Sequence, residues 1–189
     1  MLAEVSPLFR YHATVVNGDF LGSSFELESG LIATNAHVVR GIGVGSSIKL
    51  VVSDRRKPVR AVLVAVSEKI DLALLQIPAG ILDTPSASTK IGAAELMQIV
   101  GVVARNGPRA VATGTGYVLR KEVFIPHFGP GMILRTRGVT PGFSGGPVFD
   151  GQDRIVGMLT ALRNRPSGTE ALVITVAEIR EEARRLLSN

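Results

Sequence analysis

The chain has 189 residues, 46% of them apolar and 20% charged, with a formal net charge of +5 at pH 7. That length allows one sizeable domain, or two small barrels sharing a core. Cysteine is absent, which excludes a disulfide framework and a thiolate metal site. His12, His37 and His127 are the only histidines, so a multi-histidine metal centre would need nearly all of them. Positive charge is scattered. Its one short cluster, Arg55-Arg56-Lys57, has no accompanying aromatic ladder and reads as a solvated hairpin tip, not a nucleic-acid surface. No apolar run is long enough to span a membrane. Residues 1–10 contain Glu4 and Pro7 and lack the basic-then-apolar pattern of a signal peptide. The expected location is cytoplasmic if the chain is full length, and periplasmic if a targeting segment has been trimmed.

Valine and isoleucine are frequent, and 21 glycines and 10 prolines punctuate the chain, a composition that favours β structure. Strands are expected near 12–17, 20–27, 30–34, 47–53, 59–66 and 71–77. Asn17-Gly18-Asp19 marks a hairpin, because Asn and Gly tolerate positive φ. Gly41 to Ser47 reads as a loop. Residues 78–90, with Pro78-Ala79-Gly80 and Thr84-Pro85-Ser86-Ala87-Ser88-Thr89, lose periodicity and read as a linker. Strands resume near 96–104, 111–125, 131–136, 147–149, 155–163 and 170–175. One helix is expected over 177–187, with Ile179, Ala183, Leu186 and Leu187 on its apolar stripe. Arg180, Glu181, Glu182, Arg184 and Arg185 fall on the other face, and Thr175 with Glu178 fits a capping box. Two groups of about six strands, without the helices that parallel crossovers need, predict an all-β fold of two antiparallel barrels and a C-terminal helix.

Three segments carry chemistry. Gly142-Phe143-Ser144-Gly145-Gly146-Pro147 sets a serine in a glycine-rich turn. A serine hydroxyl needs a base to take its proton and donors to stabilise the oxyanion it creates. Such a turn can aim the N–H groups of Gly142 and Ser144 at one point. Taken alone, it is equally a plain turn between strands. Leu31 to Val39 is an apolar strand running into a short polar turn that presents His37. By itself that histidine could be buried and structural. Ile70-Asp71-Leu72-Ala73-Leu74-Leu75 sets an acid at the head of a hydrophobic strand, which could equally be an Asp that starts a strand.

Together the three stand in the order His, Asp, Ser, with His37 and Asp71 before the linker and Ser144 after it. That is the chymotrypsin order, unlike subtilisins or α/β-hydrolases, and it puts the site in a cleft between two barrels. Thr34-Asn35-Ala36-His37-Val38, Asp71-Leu72-Ala73-Leu74-Leu75 and the Gly142–Pro147 turn resemble the signature blocks of trypsin-like serine proteases, most closely the bacterial HtrA-like branch. The resemblance runs from about residue 12 to the terminal helix. It implies one peptidase domain over 1–189, with an N-terminal barrel at about 10–80, a linker at about 78–90 and a C-terminal barrel at about 91–176.

The resemblance implies Ser144 as nucleophile, His37 as general base, Asp71 as its orienting acid, and Gly142 and Ser144 as oxyanion-hole donors. Gly157 to Leu162, including Thr160 and Ala161, resembles the strand that pairs with substrate backbone. Thr160 is the hydroxyl expected near the triad acid. Gly138, six residues before the nucleophile, takes the place of the primary-pocket base, and Leu162 and Leu172 resemble its walls. An uncharged pocket of this kind implies cleavage after small or medium apolar residues. No cofactor or metal is expected, and the partner is a polypeptide substrate. Phe143 departs from the family, which carries Asp or Asn there, and no Ile-Val-Gly-Gly-type start is visible, so activation by N-terminal cleavage is not expected. The PDZ domain and trimer-forming segment usual in HtrA proteins have no counterpart in these residues. The alternatives are a catalytically weak or inactive binding protein on the same fold, and an esterase, against which the chain order argues.

Overall fold

The computed structural model describes residues 5–53, 57–104 and 110–188. Among these, the first six strands are β1 (Ala13–Asn17), β2 (Phe20–Glu28), β3 (Leu31–Thr34), β4 (Ser47–Val52), β5 (Lys57–Val66) and β6 (Ala73–Gln76). All pairings are antiparallel, and the order β1-β2-β3-β6-β5-β4 returns to β1, giving a closed barrel. The second six are β7 (Leu96–Val103), β8 (Ala110–Ile125), β9 (Gly129–Arg137), β10 (Pro147–Phe149), β11 (Ile155–Arg165) and β12 (Gly168–Thr175). They run β10-β11-β12-β9-β8-β7 and close through a short β7–β10 ladder, Ile99 with Val148 and Gln98 with Phe149. Closure leaves no exposed sheet edge around either ring.

Aliphatic side chains dominate both interiors, with Phe143 among those of the second. Ile32, Leu50, Leu63, Leu75 and Val38 pack in the first barrel, and Met97, Ile99, Leu134, Phe143, Val148 and Val173 in the second. A third cluster joins the barrels: Phe25, Leu72 and Leu74 from the first meet Val100, Phe149 and Met158 from the second. Residues 77–95 connect the barrels without regular strands, apart from a bridge between Ala87 and Ile155. Thr84 Oγ1 and the Gly30 N–H both donate to the buried Glu26 carboxylate, pinning the connection to the β2–β3 turn.

The helix α1 (Val176–Leu187) starts one residue earlier than expected, with Thr175 Oγ1 accepting the Glu178 N–H. Two of its residues differ from the stripe reading. Leu187 is 50% exposed, so the buried face is Val176, Ile179 and Ala183. Glu182 is buried on that side, accepting from Ser67 Oγ and from Arg185. The helix is amphipathic around a polar clamp, a pattern that periodicity counted in apolar residues cannot register. The cluster at Arg55 and Arg56, read as a hairpin tip, lies outside the described residues.

Candidate active site

Each site residue is delivered by a short irregular segment anchored in a barrel. The fully buried β3 ends at Thr34, and a 3-10 turn, Ala36–Val39, follows. Val38 and Val39 sink into the first barrel. Val38 lies so close to Gly22 that a Cβ there would come within 2.5 Å of it. His37, directly before these two buried valines, is therefore held at the barrel wall, half-exposed. Asp71 precedes β6 and does not belong to it, because strand pairing begins at Ala73. Its loop is tied by Ser67, whose N–H donates to Leu72 O and whose Oγ accepts from the N–H groups of Lys69 and Ile70. Since Ser67 Oγ also donates to Glu182, the terminal helix braces the loop that carries Asp71.

His37 Nδ1 lies 2.6 Å from Asp71 Oδ2, and the His37 N–H donates to Asp71 Oδ1 at 3.0 Å. A carboxylate can only accept, so Nδ1 carries a ring proton, leaving Nε2 as the ring nitrogen that Asp71 does not engage. Asp71 and Ser144 are each 7% exposed, against 28% for the His37 side chain. The imidazole thus spans from a dry acid to solvent. The ring of Phe20 meets it edge-on, with centroids 6.5 Å apart. Ser144 lines the same cleft of ≈ 940 Å³ as His37 and Asp71, together with Thr160, Ala161 and Leu162. Gly138 and Leu172 do not line this cleft. Leu172 alternates with Ala171 and Val173, which face the barrel interior.

Thr160 approaches Asp71 by way of another side chain. The Asn35 amide donates to Asp71 O at 2.8 Å and to Thr160 Oγ1 at 3.2 Å, while Thr160 donates to Met158 O. Asn35 thereby links both barrels behind the site, a role its place in the histidine turn did not reveal. On β11, pairing with β10 ends at Met158, and Leu159 bonds to Gly145 and Gly146. Among the described residues no strand pairs on that edge from Thr160 to Leu162, although the opposite edge pairs with β12.

The serine loop is built by close approach. A Cβ on Gly145, at φ +85°, would meet Ser23 O at 2.1 Å, and one on Gly142 would meet Val102 O at 2.3 Å. Only glycine fits. Phe143 is fully buried in the second barrel, its ring against the bare Cα of Gly101. The side chain that departs from the family pattern is an apolar anchor. Pro141–Phe143 form a 3-10 turn in which the Phe143 N–H donates to Thr140 O (2.9 Å) and the Ser144 N–H to Pro141 O (3.1 Å). The sequence placed the Gly142 and Ser144 N–H groups at one open point. Here the Ser144 N–H is engaged inside its own loop.

The other two histidines lie in different settings, one buried and one at the surface. His12 is fully buried, just before β1, and bonds Ser53 and Ser23. His127 is exposed, with φ +69°, in the β8–β9 turn, where it lines the same cleft as His37, Asp71 and Ser144. Among the described residues, no group of three or more His, Asp or Glu side chains is placed to hold a metal, and no helix is long and apolar enough to cross a membrane.

Residues 15–158 match the family model described as trypsin-like peptidase domain. A probable periplasmic DegP-like serine endoprotease of Halomonas elongata is 28% identical over 166 residues, covering 82% of this chain and 32% of that protein. The chain thus spans about a third of the length of the curated relatives it matches. Among solved structures, the serine endoprotease from Yersinia pestis superposes with TM-score 0.78 at 20% identity, covering 95% of this chain and 64% of that one. The Rv3671c protease of M. tuberculosis in its inactive form gives 0.73 at 19% identity, covering 95% and 90%. At these identities the two structures share the fold. With the family model spanning most of both barrels, the chain belongs to the trypsin-like peptidase domain family, and its relatives place it with the HtrA type.

Proposed function

We propose that the protein is a serine endopeptidase that cleaves polypeptides through an acyl-enzyme. The observation that carries this is the 2.6 Å contact of His37 with the buried Asp71, in a cleft that Ser144 also lines. Ser144 Oγ attacks the scissile carbonyl. His37 Nε2 takes its proton and later gives it to the leaving amine, and Asp71 fixes the tautomer and steadies the imidazolium. The open edge of β11 at Thr160–Leu162 supports substrate backbone pairing by strand addition. Reorientation of the Pro141–Gly142 peptide frees the Ser144 N–H and brings in that of Gly142, completing the two-donor oxyanion hole. Leu162, which lines the cleft beside Ser144, and an uncharged Gly138 six residues before the serine point to an uncharged primary pocket. It favours small or medium apolar residues, because burying an unpaired cation costs ~3 kcal/mol or more.

The test is turnover of a Val- or Ala-ending peptide by wild type and Ser144→Ala. A loss of about 10³-fold or more is expected, and undiminished cleavage by the variant sinks the assignment. One observation favours a second reading, a protease-fold binding protein of low activity: the Ser144 N–H already engaged by Pro141 O. Stoichiometric labelling of Ser144 by a fluorophosphonate supports the enzyme, and no labelling supports the binding protein.

A further inference from the structure

A chain of buried polar groups runs from the first barrel into the serine loop. The His12 imidazole sits between Ser53 Oγ at Nδ1 and Ser23 Oγ at Nε2, the latter at 2.8 Å. Ser23 Oγ in turn lies 2.8 Å from Gly142 O and accepts the Val102 N–H at 3.1 Å. His12 and Ser23 are both fully buried. The protons can be placed in one way only. A carbonyl accepts, so Ser23 gives its single proton to Gly142 O. Ser23 Oγ must then accept from His12, which puts the ring proton on Nε2 and leaves Nδ1 to accept from Ser53. Burial pushes the imidazole down to about 3, which keeps it neutral and in this tautomer near pH 7. Every group in the chain is satisfied, which is the condition for a buried polar network to rigidify its surroundings.

Three anchors therefore converge on the residues before and at the nucleophile. Ser23 Oγ holds the Gly142 carbonyl. The Phe143 ring is fixed in the second barrel. The Ser23 N–H holds the Ser144 carbonyl at 2.8 Å. The Pro141–Gly142 peptide lies outside all three. It can turn through ψ of Pro141 and φ of Gly142, the latter free of a Cβ, while the Gly142 carbonyl stays in place.

We propose that Ser23, oriented by His12, is a positioning residue that fixes the Gly142 carbonyl and so confines motion of the serine loop to the Pro141–Gly142 peptide. Its effect on rate rests on the peptidase reading; its effect on the loop rests on hydrogen bonds alone. Ser24 supplies a matched control: it is the next residue on β2, equally buried, and its hydroxyl donates to Ala13 O at 2.8 Å, away from the loop.

The experiment compares Ser23→Ala with Ser24→Ala by amide hydrogen exchange and by steady-state kinetics on an apolar peptide. In Ser23→Ala, the Phe143 and Ser144 amides are expected to exchange about tenfold faster or more, from loss of one buried hydrogen bond. Amides of Leu50 and Leu75 should move no more than in Ser24→Ala. kcat should fall about tenfold or more, with KM within about twofold, since a misplaced donor loop weakens the transition state more than ground-state binding. If Ser23→Ala does not fold, Ser23→Cys, similar in volume but a weak donor, carries the same expectation. Loop exchange equal to that of Ser24→Ala overturns the proposal, as does faster exchange with kcat unchanged. If wild type shows neither turnover nor labelling, the peptidase reading fails, and the exchange comparison still decides whether Ser23 positions the loop.

Discussion

Replacing Phe143 with Ala removes the anchor beneath Ser144. The ring is fully buried among Met97, Leu134, Val148 and Leu159, and it lies so close to Gly101 that a Cβ there would meet its Cγ at 2.2 Å. The void left behind is bounded on that side by the β7 backbone, which is paired to β8 and cannot collapse inward. Full burial with little relaxation puts the cost in the upper part of the usual range for Phe→Ala, about 4 kcal/mol. For a chain of this size that corresponds to a fall in melting temperature of about 8–16 °C. Urea unfolding and thermal melts of the two proteins measure it. A second core aromatic separates stability from positioning. Phe149 is equally buried but ends β10 beyond the loop, so Phe149→Ala should cost a similar amount while leaving kcat of the folded fraction nearly intact. Phe143→Ala should lower kcat as well. A loss below about 1 kcal/mol, or equal kcat in the two variants, would refute the view that Phe143 holds the serine loop by packing.

Asp71→Asn removes the acceptor that fixes the His37 tautomer and is expected to lower kcat by about 10⁴-fold, measured on the same peptide; a loss under tenfold would contradict the assignment. Gly145→Ala sets a Cβ 2.1 Å from Ser23 O at φ +85° and should destabilise by at least about 2 kcal/mol, read from the urea midpoint. His12 makes stability depend on acid. Its folded value is about 3 against 6.5 when exposed, so the unfolded chain gains a proton that the folded protein refuses. Stability is intact above 6.5 and falls as pH drops through that window, by about 5 kcal/mol at its lower end. His12→Gln should abolish the slope, and a wild-type stability flat from pH 7 to 4 would contradict it. Glu182 acts lower down. The hydrogen bond from Arg185 holds its carboxyl at about 2, so its contribution is full above 4.5 and lost as pH falls toward 2. Glu182→Gln should remove that lower-pH loss, read from thermal melts.

The strand pattern was legible because it is local. Alternation, β-branched residues and turn chemistry place all twelve described strands within a few residues, and the Gly18-Asp19 turn sits where Asn17-Gly18-Asp19 marks it. The glycine run around Ser144 was legible for a related reason: all three of those glycines lie where any side chain would strike a carbonyl. Ser23 left a fainter signal. Ser23 and Ser24 stand side by side in a strand, where successive residues face opposite ways, so at least one must point inward and find a partner. Glu182 left none, because a buried carboxylate clamped by Ser67 from a distant loop looks like any charge on a helix.

The sequence alone thus determined two groups of antiparallel strands, a C-terminal helix and a His37, Asp71, Ser144 set in family order. Only the tertiary structure decided how the serine loop is held. An acid or amide before Ser144 would need a polar partner, and here Phe143 takes its place by filling the second barrel. The first barrel reaches across through His12 and Ser23 to grip the Gly142 carbonyl. Both anchors join residues more than a hundred positions apart or depend on the volume of a closed core. Neither leaves a periodicity or a spacing in the chain, so packing and hydrogen-bond geometry, and not the motif, set the state of the loop beside His37 and Asp71.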